Sequence, residues 1–216
     1  MLKVVVFDCG IGGELFADHL EKELGVVEVI RVIDWRNSGE YLKSSHSARK
    51  TAECALKPYI GNVDLIIVAN YLLATTSLKY FKNKYQSQKF IGFVFKTKRV
   101  IMEKPTLILT TKATTKSFSF VSFSHRIKAK TICFDTWPLL IDDGELTYDV
   151  LKDDVRNAMS SFRNFSPEQI MLACGQFSEV TPDLRKIFGH NVRFIDSFEH
   201  TIGEAKKALK IRGSSC

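Results

Sequence analysis

The sequence predicts an α/β protein built on parallel sheets, and three observations lead there. Apolar runs such as LKVVVFD at residues 2–8 and DLIIVAN at 64–70 lack polar alternation, as strands covered on both faces require. Most runs close in small polar residues or glycine and are followed by a segment of helical periodicity, which is the rhythm of βαβ units. The pattern restarts near residue 105, so 216 residues are expected to hold two α/β halves.

The elements follow in order. Residues 2–8 form the first strand. The glycine turn CGIGG leads into a helix on which Leu15, Phe16, His19, Leu20 and Leu24 share a face. VEVIRVID is the second strand. A polar stretch from Trp35 precedes a helix over about 45–58 that Pro58 closes. DLIIVAN, TTSLKYFKNKY and KFIGFVF read as strand, helix and strand, and KTKRVIMEKP at 96–105 lacks periodicity and marks the break. In the second half, PTLILTT is a strand, TKSFSFVSFSH a helix, AKTICFDT a strand and LTYDVLKDDVRNAMSSFRN a helix. QIMLACGQF is the next strand, TPDLRKIFG a helix with Gly189 at its C-terminal end, VRFIDS the last strand and HTIGEAKKALKI the last helix.

Bulk properties narrow the function classes. No apolar stretch reaches the roughly 18–20 residues that cross a bilayer, and the N-terminus meets an acid too early for a secretory signal. Five cysteines stand scattered at 9, 54, 133, 174 and 216 without a C-x-x-C pair, which points to a reduced, cytoplasmic protein with no membrane association. The net charge of +7 suits an anionic partner. The basic stretch at 78–99 has interleaved aromatics, but its FIGFVF centre reads as a buried strand and Lys79, Lys82 and Lys84 as a solvated helix face, which disfavours nucleic acid. The histidines at 19, 46, 125, 190 and 200 show no paired metal-ligand spacing. No lysine stands in a Schiff-base context. Neither a metal nor pyridoxal phosphate is expected.

Chemistry concentrates where strands run out: FDCGIGG, VANYLLATTS, TTKATTKS, ACGQFS and FIDS. Backbone N–H groups at such turns and helix N-termini suit a carboxylate. Thr and Ser add hydroxyl donors, although any one of them can instead be a helix cap. The residues singled out are Asp8, Cys9, Gly10, Asn70, Thr111, Thr114, Ser117, Cys174 and Gly175. A dinucleotide reading of the glycine loop fails at its third glycine, where Leu15 stands, although Asp34 falls near the ribose-partner spacing.

Four of these motifs, in this order, resemble the aspartate/glutamate racemase superfamily, and glutamate racemase above all. FDCGIGG matches the opening F-D-S-G-[VI]-G-G. Thr111, Thr114 and Ser117 match T-x-x-T-x-x-S, LACGQ corresponds to L-G-C-T-H, and FIDS matches the closing I-D-S. The resemblance implies two flavodoxin-like domains facing each other across a cleft, residues 1–97 with 191–216 and residues 98–190. It also implies cofactor-independent chemistry on a small carboxylate or amino acid bound between them. A homodimer stands open as the oligomeric form. Departures are equally plain: Asn70 or its neighbour occupies the place of the first catalytic cysteine, Cys9 replaces a serine, and Gly175-Gln176 replace threonine and histidine.

Racemisation without a cofactor needs an acid/base on each face of the α-carbon, and asparagine does not titrate usefully. Three readings remain. Cys174 and Cys9 serve together, with Asp8 alongside. Alternatively, Cys174 works alone, as the resemblance to arylmalonate decarboxylase implies. In the third, the fold persists as a non-catalytic carboxylate-binding protein. In the catalytic readings, neighbouring N–H donors are expected to lower the Cys174 pKa and make it alkylate faster than Cys54.

Overall fold

The computed structural model describes residues 1–25, 27–93, 104–127 and 129–211. The chain forms two compact units, Met1–Val94 with Ser197–Cys216 and Phe95–Asp196. Each carries a four-stranded, wholly parallel sheet.

In the first unit β1 (Leu2–Asp8), β2 (Val27–Ile33), β3 (Leu65–Val68) and β4 (Phe90–Gly92) lie in the order β2-β1-β3-β4. The uninterrupted apolar runs have the expected cause: Val4–Phe7 and Leu65–Val68 have no exposed surface, because helices cover both faces of a central parallel strand. The helices are α1 (Ile11–Leu24), α2 (Ser38–Lys43), α3 (Ser45–Leu56) and α4 (Tyr71–Lys84). On α1, Phe16, Leu20 and Leu24 are buried as the periodicity predicts, whereas His19 is exposed.

The second unit repeats the plan. β5 (Thr106–Thr110), β6 (Ala129–Cys133), β7 (Gln169–Leu172) and β8 (Arg193–Ile195) lie in the order β6-β5-β7-β8. Its helices are α5 (Lys112–Thr115), α6 (Phe118–Ser124), α7 (Trp137–Asp142), α8 (Tyr148–Met159) and α9 (Thr181–Phe188). Gly189 ends α9 at φ 92°, a conformation that favours glycine. The last helix, α10 (Phe198–Ala208), belongs to the first unit, where Phe198 meets Phe16 edge-on at 5.3 Å and the Tyr71 hydroxyl donates to Ser197 Oγ at 2.7 Å.

Three expectations change. The last strand does not return to the first unit with its helix: β8 pairs with β7 from Gln169↔Arg193 to Met171↔Ile195. An apolar run specifies a strand but not its partner. The helix expected over 115–125 runs only from Phe118 to Ser124, with a separate short helix, Lys112–Thr115, before it, because Ser117 starts a new helix by accepting the Phe120 N–H. Helix α7, six residues opened by Pro138, escaped the periodicity argument because it is too short to show a face. The aperiodic stretch at 96–105 falls largely outside the described residues. Among the described residues no helix is long and apolar enough to cross a membrane.

Candidate active site

Both sheets reverse their strand order between the first and third strand of the unit. In open α/β sheets that switch point, at the carboxyl ends of the strands, is where ligands bind. In the first unit it lies between the ends of β1 and β3, and in the second between those of β5 and β7. The sequence-predicted site residues stand at or beside these two points.

In the first unit, Asp8 closes β1 and is 1% exposed. Its Oδ1 accepts the Cys9 N–H at 2.7 Å and the Asn70 Nδ2–H at 2.8 Å. Asn70 caps α4, its Oδ1 accepting the Leu73 N–H at 3.0 Å. With the oxygen committed to the cap, Nδ2 must face Asp8, and it also lies 3.4 Å from Cys9 Sγ. Asp8, Cys9 and Asn70 thus form one connected cluster, in which the Asn70 amide is a donor to the neighbouring thiol. Gly10 precedes α1 in extended conformation. Gly13 is a glycine for want of space, since a Cβ there would stand 2.4 Å from Asp8 Cβ.

Sequence reasoning weighed Asp34 only as a ribose partner. It follows β2, its N–H bonds to Asp8 O at 2.9 Å, and its carboxylate accepts from Asn37 Nδ2 at 2.8 Å and the Tyr41 hydroxyl at 2.7 Å. Burial first, and then that bond to Asp34, push the Tyr41 hydroxyl far above its ordinary pKa; the charges of Cys9 and Asp8 add to the shift. Tyr41 is therefore a fixed neutral donor. Its signal in the sequence was weak, because it lies beyond the strand end on a short helix.

In the second unit, Thr110 Oγ1 donates to Ala173 O at 3.2 Å, joining the ends of β5 and β7. Thr111 and Thr114 share a hydrogen bond at 3.2 Å between their hydroxyls, and Thr114 is 3% exposed. Ser117 Oγ accepts the Phe120 N–H at 3.2 Å and so acts as a cap, which leaves its own proton for another acceptor. Lys112 N donates to Asp135 Oδ1 at 2.7 Å. Nearby, burial, followed by the charge of Asp135, raises the pKa of Cys133.

Cys174 follows β7 in extended conformation and is partly exposed, and Gly175 opens a short 3-10 turn, Gly175–Ser178. Phe177 anchors that turn: fully buried, it meets Trp137 of α7 edge-on at 5.4 Å. Trp137 is itself stacked on Phe134 at 3.7 Å and bonded to Asp154 at 2.8 Å. The turn is thereby held against the helix that ends in Asp142. Cys174 Sγ donates to Gln176 Oε1 at 3.1 Å, and Gln176 Nε2 reaches Asp142 Oδ2 at 3.5 Å. Sequence reasoning missed Asp142 and the use of Gln176. The first lies 34 residues from its partner and only the fold unites them; the second stood two residues beyond the thiol.

The first unit thus presents a thiol beside an amide donor and a buried carboxylate. The second presents a thiol and several hydroxyls. Cys9, Cys54, Cys133 and Cys174 are all outside disulfides. Among the described residues no group of three or more His, Cys, Asp or Glu side chains is placed to hold a metal ion.

No family model matches the chain. Known relatives do. The glutamate racemase of Buchnera aphidicola is 22% identical over 232 residues, covering 96% of this chain and 84% of the relative. The structure of Escherichia coli glutamate racemase in complex with L-glutamate and the activator UDP-MurNAc-Ala superposes with a TM-score of 0.86 at 18% identity, covering 99% of this chain and 84% of that one. Picrophilus torridus aspartate racemase superposes at 0.61 and 15% identity, covering 99% and 96%. The paired parallel sheets are those of the two-domain racemase fold. The ordered motifs, the shared fold and these relatives together support a divergent member of the aspartate/glutamate racemase superfamily.

Proposed function

We propose that this chain is a racemase-like enzyme that moves a proton at the α-carbon of glutamate, aspartate or a related small carboxylate without a cofactor. Cys174 is the principal acid/base and Cys9 the second. The observation that carries this reading is the placement of a thiol at the switch point of each sheet, Cys9 beside Asp8 and Asn70 and Cys174 after β7. L-Glutamate, the ligand bound in the Escherichia coli relative, is the first substrate to test.

One thiolate takes the α-proton, leaving the electron pair on a carbanion conjugated with the substrate carboxylate. The other thiol then gives its proton to the opposite face and becomes the thiolate. Thiols suit this exchange because their ordinary pKa of about 8.5 lies close to neutral pH. Carboxylate binding is assigned to the hydroxyls of Thr111, Thr114 and Ser117 and the Gly175 N–H in the second unit. In the first unit it is assigned to Gly10 and Asn70. Asp8 orients Asn70 and the Cys9 backbone through its two hydrogen bonds.

A second reading has one observation in its favour. Asn70, at the place of the first family thiol, is committed to capping α4 and to Asp8. Cys174 would then work alone, protonating a carbanion formed by loss of CO₂. Chiral chromatography of L-glutamate and L-aspartate after incubation with the protein separates the readings. Racemisation lost in both Cys9→Ser and Cys174→Ser supports two thiols; loss in Cys174→Ser alone supports one. A parent protein that neither racemises nor decarboxylates any small carboxylate rejects the proposal.

A further inference from the structure

The orientation of Gln176 fixes the direction of a proton. Its side chain is 9% exposed and lies between two groups, the thiol of Cys174 at 3.1 Å from Oε1 and the carboxylate of Asp142 at 3.5 Å from Nε2. A carboxylate can only accept, so the amide nitrogen must face Asp142 and the oxygen must face the sulfur. Turning the amide over would set Oε1 against the carboxylate. An amide oxygen in turn can only accept, so the sulfur beside it is the donor and carries its proton. A hydrogen bond to the neutral form disfavours the charged one.

We infer that Gln176, a positioning residue held by Asp142, keeps Cys174 as the neutral thiol, so that Cys174 enters the reaction as the proton donor. The inference rests on the function proposed above and assigns one role within it. When the carbanion forms, the S–H bond breaks, a C–H bond forms from the carbanion's electron pair, and the sulfur keeps its own pair as thiolate. An amide neither releases nor takes up that proton. Cys174 therefore regains it from water or from the next substrate in the reverse direction.

The titratable groups on the elements around the turn are Asp142 at the end of α7, Asp143 after it, Glu179 after the turn and Asp196 after β8. Asp142, held to Cys174 through Gln176, is an acid that opposes a second negative charge. After β5, Lys112 is paired with Asp135 at 3.3 Å. On this inference Cys174 is a raised, slow-reacting thiol, the opposite of what is expected from sequence. Cys54, exposed on α3, should alkylate faster.

The test is iodoacetamide alkylation of the full chain across pH 6–10, read by mass spectrometry on the peptide that holds Cys174. In the parent, the Cys174 midpoint should lie above the free-thiol value of about 8.5. Gln176→Leu removes the acceptor, and alkylation at pH 7.5 should rise about tenfold, as one unit of pKa requires. Gln176→Glu keeps an acceptor and adds charge, so its rate should stay at or below the parent's. Asp142→Ala releases the amide and should raise the rate, which covers the case of a Gln176→Leu protein that does not fold. A parent midpoint at or below 8.5, or no increase in Gln176→Leu and Asp142→Ala, overturns the inference. The titration needs no substrate, so it stands or falls apart from racemisation. If the thiols behave as stated but no substrate turns over, the proposed function fails alone.

Discussion

Replacing Gly13 by alanine should break the support under Asp8. Gly13 sits in the first turn of α1, where the helix passes directly over the end of β1. A Cβ there would stand 2.4 Å from Asp8 Cβ and 2.7 Å from Ile33 Cδ1. The δ-methyl of Ile33 is the tip of a flexible side chain and can rotate away. Asp8 Cβ cannot, because it is fixed to the backbone of a fully hydrogen-bonded central strand. The contact falls about 1 Å short of ordinary van der Waals distance, so the helix itself must move. Overpacking of this kind costs about 1–3 kcal/mol, and alanine's helix propensity returns at most about 1 kcal/mol. A net loss of about 1–2 kcal/mol lowers Tm by about 2–8 °C in a chain of this size. Gly203 is the control: it lies within α10 with open space where a Cβ would go, so Gly203→Ala should be neutral or stabilising. Thermal unfolding followed by circular dichroism measures both variants. If Gly13→Ala melts with or above Gly203→Ala, the close approach of α1 to Asp8 is not what requires glycine.

Two other predictions concern stability and binding. Glu53 accepts from Lys84 at 2.6 Å and from the Tyr85 hydroxyl, and although burial works the other way these bonds hold its pKa below the ordinary value. A carboxylate lowered on folding stabilises the native state above its unfolded pKa of about 4.3 and loses that contribution as pH falls through the folded value. Glu53→Gln should therefore lower Tm at pH 7 by no more than about 3 °C, as a partly exposed pair allows. The gap from the parent should close by pH 3; a gap that persists in acid contradicts the assignment. Thr114→Val removes a buried hydroxyl paired with Thr111 and should weaken carboxylate binding about tenfold. Calorimetry with glutamate and aspartate tests this, and unchanged affinity removes Thr114 from the binding set.

Much of this molecule was readable before its structure. The runs VVVF and LIIV are strands because nothing polar interrupts them, and both prove fully buried. Glycine and small polar residues after each run marked the strand ends, and the switch points lie there. Pairing was not readable: RFI fits an edge position on either sheet, and only the β7 register commits it to the second. At the site, Asp8, Cys9 and Cys174 were visible because each stands at or just after a strand end. Capping was the ordinary alternative for the Ser and Thr hydroxyls, and Ser117 does cap a helix, as does Asn70, for which it was not weighed. Asp142 and Tyr41 were invisible, because their partners are reached only through tertiary packing or a turn whose path the sequence leaves open.

The central claim is that this chain moves a proton at an α-carbon with its own thiols. The most direct measurement is hydrogen exchange in D₂O: dialysed protein is incubated with L-glutamate and, separately, L-aspartate, and the amino acids are analysed by proton NMR and chiral chromatography. The account predicts loss of the α-proton signal for at least one of them, with the opposite enantiomer appearing and no cofactor added, and no exchange in Cys174→Ser. An α-proton signal that persists in both amino acids, or exchange that survives in Cys174→Ser, would contradict it.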